Sequence, residues 1–125
     1  QSYKCTLFFG VPTTLDMMVQ SKQFETADLS SIRYAIVGGE PMPIPLIQRW
    51  HQKGIPVRQG YGLTEFGPNV FSLNEEHALT KIGSIGLPNF YIQTKVVTPE
   101  GSEAKSGEVG ELLLRGPMIM QGYWN

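Results

Sequence analysis

The chain has 125 residues, of which 41% are hydrophobic and 17% charged, with 10 basic and 11 acidic side chains and a formal net charge of −1. That composition suits one soluble globular body burying roughly two-thirds of its unfolded surface, and it offers no global electrostatic case for nucleic acid or an anionic membrane. No apolar run is long enough to span a bilayer, no segment reads as a signal peptide, and the lone Cys5 excludes an internal disulfide and suits a reducing cytoplasm.

In chain order, Thr6 to Val11 is a nearly continuous apolar run, the pattern of a buried strand. Pro12 suits the first turn of a helix that places Leu15, Met18 and Val19 on one face. Leu29-Ser30-Ser31 is a turn, and Ile32 to Val37 is a second strand ending at Gly38-Gly39. Pro41 to Pro45 leads into a second helix with Leu46, Ile47 and Trp50 as its apolar stripe and Gly54 at its end. Val57 opens a third strand that delivers the stretch Gln59-Gly60-Tyr61-Gly62-Leu63-Thr64-Glu65, followed by a loop marked by Gly67, Pro68 and Asn69. Strand, helix, strand, helix, strand is the pattern of a parallel sheet with crossover helices. In such sheets ligands bind beyond the carboxyl ends of the strands, so Gly38-Gly39-Glu40-Pro41 and Gly60-Tyr61-Gly62 face one crevice if their strands are neighbours.

From Lys81 the character changes. Glycines and prolines punctuate short strands, with Tyr91 to Thr98 and Val109 to Arg115 joined through a turn at Pro99-Glu100-Gly101, an antiparallel unit. Met118 to Trp124 form an apolar tail. The expected fold class is therefore α/β, a parallel βαβ segment over residues 1–80 followed by an antiparallel, barrel-type β segment over 81–125. The 14 glycines and 9 prolines sit at the ends of apolar runs, as turns of an ordered protein do. Neither Gln1 nor Asn125 reads as a natural terminus, and the expectation is a piece of a longer protein.

The Gly60 stretch carries the chemistry. Two glycines let backbone approach a flat ligand while Tyr61 offers a ring to stack on it. Thr64 supplies a hydroxyl for a phosphate oxygen, and Glu65 a carboxylate for a magnesium ion. The same residues also suit a tight turn with Thr64 capping a helix. Other groups read as structural. Met17, Met18, Met118 and Met120 read as packing, His51 and His77 as solvated, Glu75-Glu76 as surface charge, and Cys5 as a small buried hydrophobe. Neither zinc-ligand spacing nor a Gly-x-Ser-x-Gly nucleophile motif is present in the sequence.

Four stretches taken together define a pattern: Gly38-Gly39-Glu40-Pro41, Gln59 to Glu65, Lys81-Ile82-Gly83-Ser84-Ile85-Gly86-Leu87-Pro88, and Gly110 to Pro117 with Gly122-Tyr123-Trp124-Asn125. Their order and spacing closely resemble the adenylate-forming superfamily of acyl-CoA synthetases, coumarate-CoA ligases, luciferase and peptide-synthetase adenylation domains. The resemblance covers nearly the whole chain. It implies ATP, magnesium and coenzyme A as cofactors and a small carboxylic acid, a fatty acid first, as substrate. The acid would be activated as acyl-AMP and passed to the thiol of coenzyme A.

By the same resemblance, Gly38, Gly39, Glu40 and Pro41 lie along adenine, Gln59, Gly60 and Tyr61 belong to the nucleotide site, and Gly62 and Leu63 border the reacting end of the acid. Thr64 and Glu65 are the catalytic pair, Glu65 as the metal ligand. Glu40 stands where many relatives have alanine, and contact with the adenine amino group and a helix start both remain open for it. The family's Lys-Gly phosphate loop is absent, and its ribose-binding Asp and catalytic lysine would lie beyond Asn125, so these residues alone are not expected to catalyse adenylation. Leu63 and the Arg115 to Tyr123 stretch favour a coenzyme A acceptor. The alternatives are an adenylation domain loading a carrier protein and a non-catalytic nucleotide-binding module. Cut strand edges and the apolar tail lead one to expect either self-association or disorder at both ends.

Overall fold

The structure is a computed structural model and describes residues 3–124; the terminal Asn125 of the last motif lies outside the described residues. Strand β1 (Leu7–Gly10), helix α1 (Pro12–Gln20), β2 (Tyr34–Val37), α2 (Ile44–Gln52) and β3 (Val57–Leu63) follow in order. β1 pairs parallel with β2, through Phe8↔Ala35 and Gly10↔Val37, and β2 pairs parallel with β3, through Ala35↔Val57 and Val37↔Gln59. The expected βαβαβ segment is present. Leu15, Ile47 and Trp50 are buried, and Met18, Val19 and Leu46 pack against the same core, because residues three and four apart on a helix share a face. The Trp50 ring stacks on Phe8 at 6.5 Å and meets Phe24 edge-on at 5.1 Å, which ties α2 to the sheet.

Two departures from the sequence pattern concern the path after β3. The strand does not end in a loop at Tyr61. It runs on to Leu63 and folds back antiparallel on β4 (Gly67–Ser72), in the residues expected to form a loop. Pro68 is accommodated because the ladder is irregular there, with a register shift between Tyr61 and Leu63, and irregular pairing tolerates a missing N–H. After a short 3₁₀ turn (Glu75–His77), β5 (Leu87–Pro88) pairs with β4, giving one sheet in the order β1-β2-β3-β4-β5. β6 (Gln93–Val97) and β7 (Glu111–Arg115) form a separate antiparallel pair, as expected. The chain is thus α/β, a mostly parallel sheet followed by an antiparallel unit. A second core of Phe66, Val70, Phe71 and Ile92 joins the β3–β4 hairpin to Leu112 and Leu114 of β7.

Three local expectations are corrected. The apolar run of β1 is not buried on both faces: Phe8 faces the helices, while Phe9 is 71% exposed on the open side. Cys5 is exposed rather than packed, because it precedes the strand and no element covers it. His51 is not solvated. It is half-buried at the end of α2, and its Nε2 accepts the backbone N–H of Val57 at 3.0 Å. That bond requires the neutral ring, and burial holds the His51 pKa below its ordinary 6.5.

The consequence is a stability step with a defined sign. In acid the unfolded chain takes up a proton at His51 more readily than the folded one. The contribution of His51 is therefore complete above about pH 6.5 and is lost as pH falls through its lower folded value. A series of denaturant titrations across this range should show the step in the native protein and not in His51→Leu.

Candidate functional site

The glycine stretches meet because β2 and β3 are neighbours. Gly38 continues from the end of β2 and lies against β3 so closely that a β-carbon on it would sit 3.4 Å from the Gly60 carbonyl oxygen. Gly39 then turns with φ +93, a left-handed conformation that glycine adopts without a steric penalty. β3 continues past this point on its new partner, β4, and carries Gly60, Gly62 and Leu63, with Thr64 and Glu65 of the turn that follows, along an open cleft of about 930 Å³. Gly38 and Gly39 line the same cleft from β2, Phe9 and Val11 from β1, and Pro68 and Asn69 from β4. It opens at the carboxyl ends of β1 and β2, the position where α/β sheets bind ligands.

Of the residues named from sequence, Gly38, Gly39, Gly60, Gly62, Leu63, Thr64 and Glu65 are brought together here. Four others are placed elsewhere. Glu40 and Pro41 line a different cleft of about 590 Å³, with Pro12, Thr13 and Asp16 of α1 and Arg49 of α2. Gln59 is 6% exposed, with its Oε1 unpartnered among the described residues and its backbone carbonyl accepting the Leu73 N–H at 3.0 Å. The half-buried Tyr61 meets Phe71 edge-on at 5.9 Å and belongs to the second core.

Glu65 is the middle residue of the three-residue turn of the hairpin, between Thr64 and Phe66. Its carboxylate Oε1 accepts the hydroxyl of Tyr123, and its carbonyl accepts the Met120 N–H at 2.9 Å. The donated hydrogen bond from Tyr123 is the main reason the Glu65 pKa lies below its ordinary value, and in return Glu65 holds the Tyr123 phenol above its own. The two shifts agree: the proton stays on the phenol and the carboxylate stays ionised. Tyr123 is 58 positions from Glu65 and no local pattern connects them, so the sequence alone does not mark it as a site residue.

The residues present fit a nucleotide with magnesium. Backbone at Gly38, Gly39 and Gly60 leaves room for a flat group to approach, and Thr64 can donate to a phosphate oxygen. Among the described residues no group of three or more His, Cys, Asp or Glu side chains could hold a metal ion by themselves. Glu65 would be the carboxylate to hold a magnesium ion, which is commonly bound by one or two carboxylates together with substrate phosphates and water. No helix among the described residues is long and apolar enough to cross a membrane.

Parallel strands ending in a glycine-lined cleft, with a hydroxyl and an ionised carboxylate at its edge, define an α/β protein with an open cleft at the carboxyl ends of its strands. A model of the AMP-binding enzyme family matches residues 1–124, and the chain belongs to that family. Feruloyl-CoA synthase of Amycolatopsis sp is 40% identical over 121 residues, 97% of this chain and 25% of that protein. Long-chain-fatty-acid–CoA ligase of Salmonella typhimurium is 37% identical over 123 residues, 98% of this chain and 22% of that protein. Among solved structures, an anthranilate CoA ligase in complex with anthranoyl-AMP superposes with a TM-score of 0.84 at 31% identity, over 97% of this chain and 23% of that one. The chain thus spans about a quarter of the length of the curated relatives it matches.

The cleft depends on Gly62. A β-carbon there would fall 2.3 Å from the Pro68 backbone, so Gly62→Ala must push the hairpin open. We expect a loss of about 1–3 kcal/mol of stability, the usual range for overpacking. Gly60→Ala, whose β-carbon would meet nothing nearer than 3.8 Å, should change the unfolding midpoint far less.

Proposed function

We propose that the chain forms part of the catalytic domain of an ATP-dependent acid–CoA ligase. The carboxylate of the acid attacks the α-phosphorus of ATP and pyrophosphate leaves. The thiol of coenzyme A then displaces AMP from the acyl-adenylate, losing its proton and forming the thioester. The observation that carries this reading is the placement of Thr64 and Glu65 on the cleft that Gly38, Gly39 and Gly60 line.

In this reading the glycine backbones admit the nucleotide, the Thr64 hydroxyl donates to phosphate oxygen, and the Glu65 carboxylate holds magnesium. Bound magnesium supplies neutralisation of charge building on the phosphate oxygens. The chain's own task is alignment and electrostatic stabilisation, with no covalent nucleophile required. By the resemblance alone, Tyr61 would offer its ring to adenine, with Gln59, Glu40 and Pro41 on the nucleotide's flank; none of the four lines this cleft.

The acid is an apolar one, since Phe9, Val11, Ile36 and Leu63 give the cleft an apolar wall. A fatty acid is the first candidate. An aryl acid is the second, and the 40% identity to a feruloyl-CoA synthase favours it. Thioester formation with a long-chain fatty acid and a cinnamate-type acid in competition separates the two. We read residues 1–80 as the nucleotide-binding segment and 81–125 as the β segment, place the protein in the cytoplasm, and assign any self-association to exposed strand edges and the apolar tail.

Two substitutions in the full-length protein test the assignments. Glu65→Gln should lower ATP–pyrophosphate exchange about 10²–10³-fold, the usual effect of losing one strong electrostatic stabiliser, with the fold retained. Near-normal turnover at saturating magnesium would remove Glu65 from the metal. Tyr61→Ala should weaken ATP binding up to roughly tenfold, as expected for a lost aromatic stack, and Tyr61→Phe less. Equal damage from both would point to the hydroxyl instead of the ring.

A further inference from the structure

The stretch Met118 to Tyr123 follows the antiparallel unit, yet it lies against the turn of the β3–β4 hairpin. Met118 packs near Gly67, the Met120 N–H donates to the Glu65 carbonyl, and the Tyr123 hydroxyl donates to Glu65 Oε1. The backbone and the side chain of Glu65 are thus both held by one short segment. Glu65 lines the cleft, whereas Tyr123 is not among the residues that do.

We propose that Tyr123 is a positioning residue: its phenol fixes one oxygen of the Glu65 carboxylate and so orients the other toward the metal–nucleotide. This rests on the reading of Glu65 as the magnesium carboxylate. A glutamate has three rotatable side-chain bonds and loses that freedom when it binds a metal. A charge-assisted hydrogen bond to one oxygen removes much of the freedom beforehand. Partners that hold a metal ligand from behind commonly contribute 10–100-fold to metal affinity. Tyr123 is 68% exposed, so its phenol does not serve the core, and the remaining function of its hydroxyl is the bond to Glu65.

The test uses the full-length protein and a non-hydrolysable ATP analogue, with binding followed by calorimetry as magnesium is titrated. Tyr123→Phe keeps the ring and removes the donor. It should raise the magnesium concentration for half-maximal nucleotide binding about tenfold. Nucleotide affinity without magnesium and the unfolding midpoint should stay unchanged. In a Glu65→Gln background the same change should have no further effect, because the partner it acts through is gone.

If Glu65→Gln raises the magnesium requirement and Tyr123→Phe does not, Tyr123 has no positioning role and the metal reading stands. An equal effect of Tyr123→Phe in both backgrounds, or tighter magnesium binding in the single variant, also overturns the proposal. If Glu65→Gln leaves the magnesium dependence untouched, the metal reading fails and the proposal falls with it.

Discussion

The arrangement of the site depends on one exchange of partners along β3. Its first residues, Val57 to Gln59, pair parallel with β2, and its last, Gly60 to Leu63, pair antiparallel with β4. The first half is a regular ladder and the second carries a register shift between Tyr61 and Leu63, and the handover falls where β2 has ended at Val37. Beyond that point β3 has one edge free, and Gly38 and Gly39 turn along it. A strand that stayed between two parallel neighbours would have both edges occupied and no cleft at its side. The switch leaves backbone accessible at the end of the sheet without leaving it unsupported, since β4 satisfies the other edge.

Such a hairpin needs an anchor, and Phe66 supplies it. This residue closes the turn that begins at Thr64, and it is 2% exposed in the second core. The antiparallel unit packs on the same ring: a β-carbon at Gly116, just after β7, would come within 3.1 Å of the Phe66 ring. The turn that presents Thr64 and Glu65 is therefore gripped by residues from the end of the chain. The antiparallel unit has its place in the functional argument for this reason, although it supplies no cleft-lining side chain of its own. Close packing makes such a contact stiff, and stiffness is what the proposed phosphate and metal roles of Thr64 and Glu65 would need.

The parallel part of the fold was legible because its signals are local. Apolar stripes at helical spacing and short β-branched runs identify α1, α2 and β2 without reference to anything distant. β4 was not legible. Gly67-Pro68-Asn69 has loop composition, and only pairing with β3 makes it a strand, so a tertiary contact overrides the local preference. The polarity of His51 suggested solvent, whereas its place at the end of α2 brings Nε2 to the Val57 N–H. The glycines, Thr64 and Glu65 were readable because they lie in two short stretches on adjacent strands. Tyr123 was in a recognised motif, but its hydrogen bond spans two units, and sequence spacing carries no information about that.

The exposure of Glu65 bears on how the cleft can work. In the open cleft its carboxylate faces water, so keeping it ionised requires no burial of charge, and the Tyr123 hydrogen bond further favours the ionised form. In this state its field is weak, because water screens it. A ligand that fills the cleft displaces that water and lowers the local dielectric. The carboxylate's interaction with a bound cation then strengthens without any change in its own position. A buried carboxylate would have the stronger field at the outset but would tend to take up a proton and lose it. In the proposed metal role, a solvent-accessible carboxylate held by a hydrogen bond on a packed turn would avoid that conflict, because its charge would become effective only with the ligand in place.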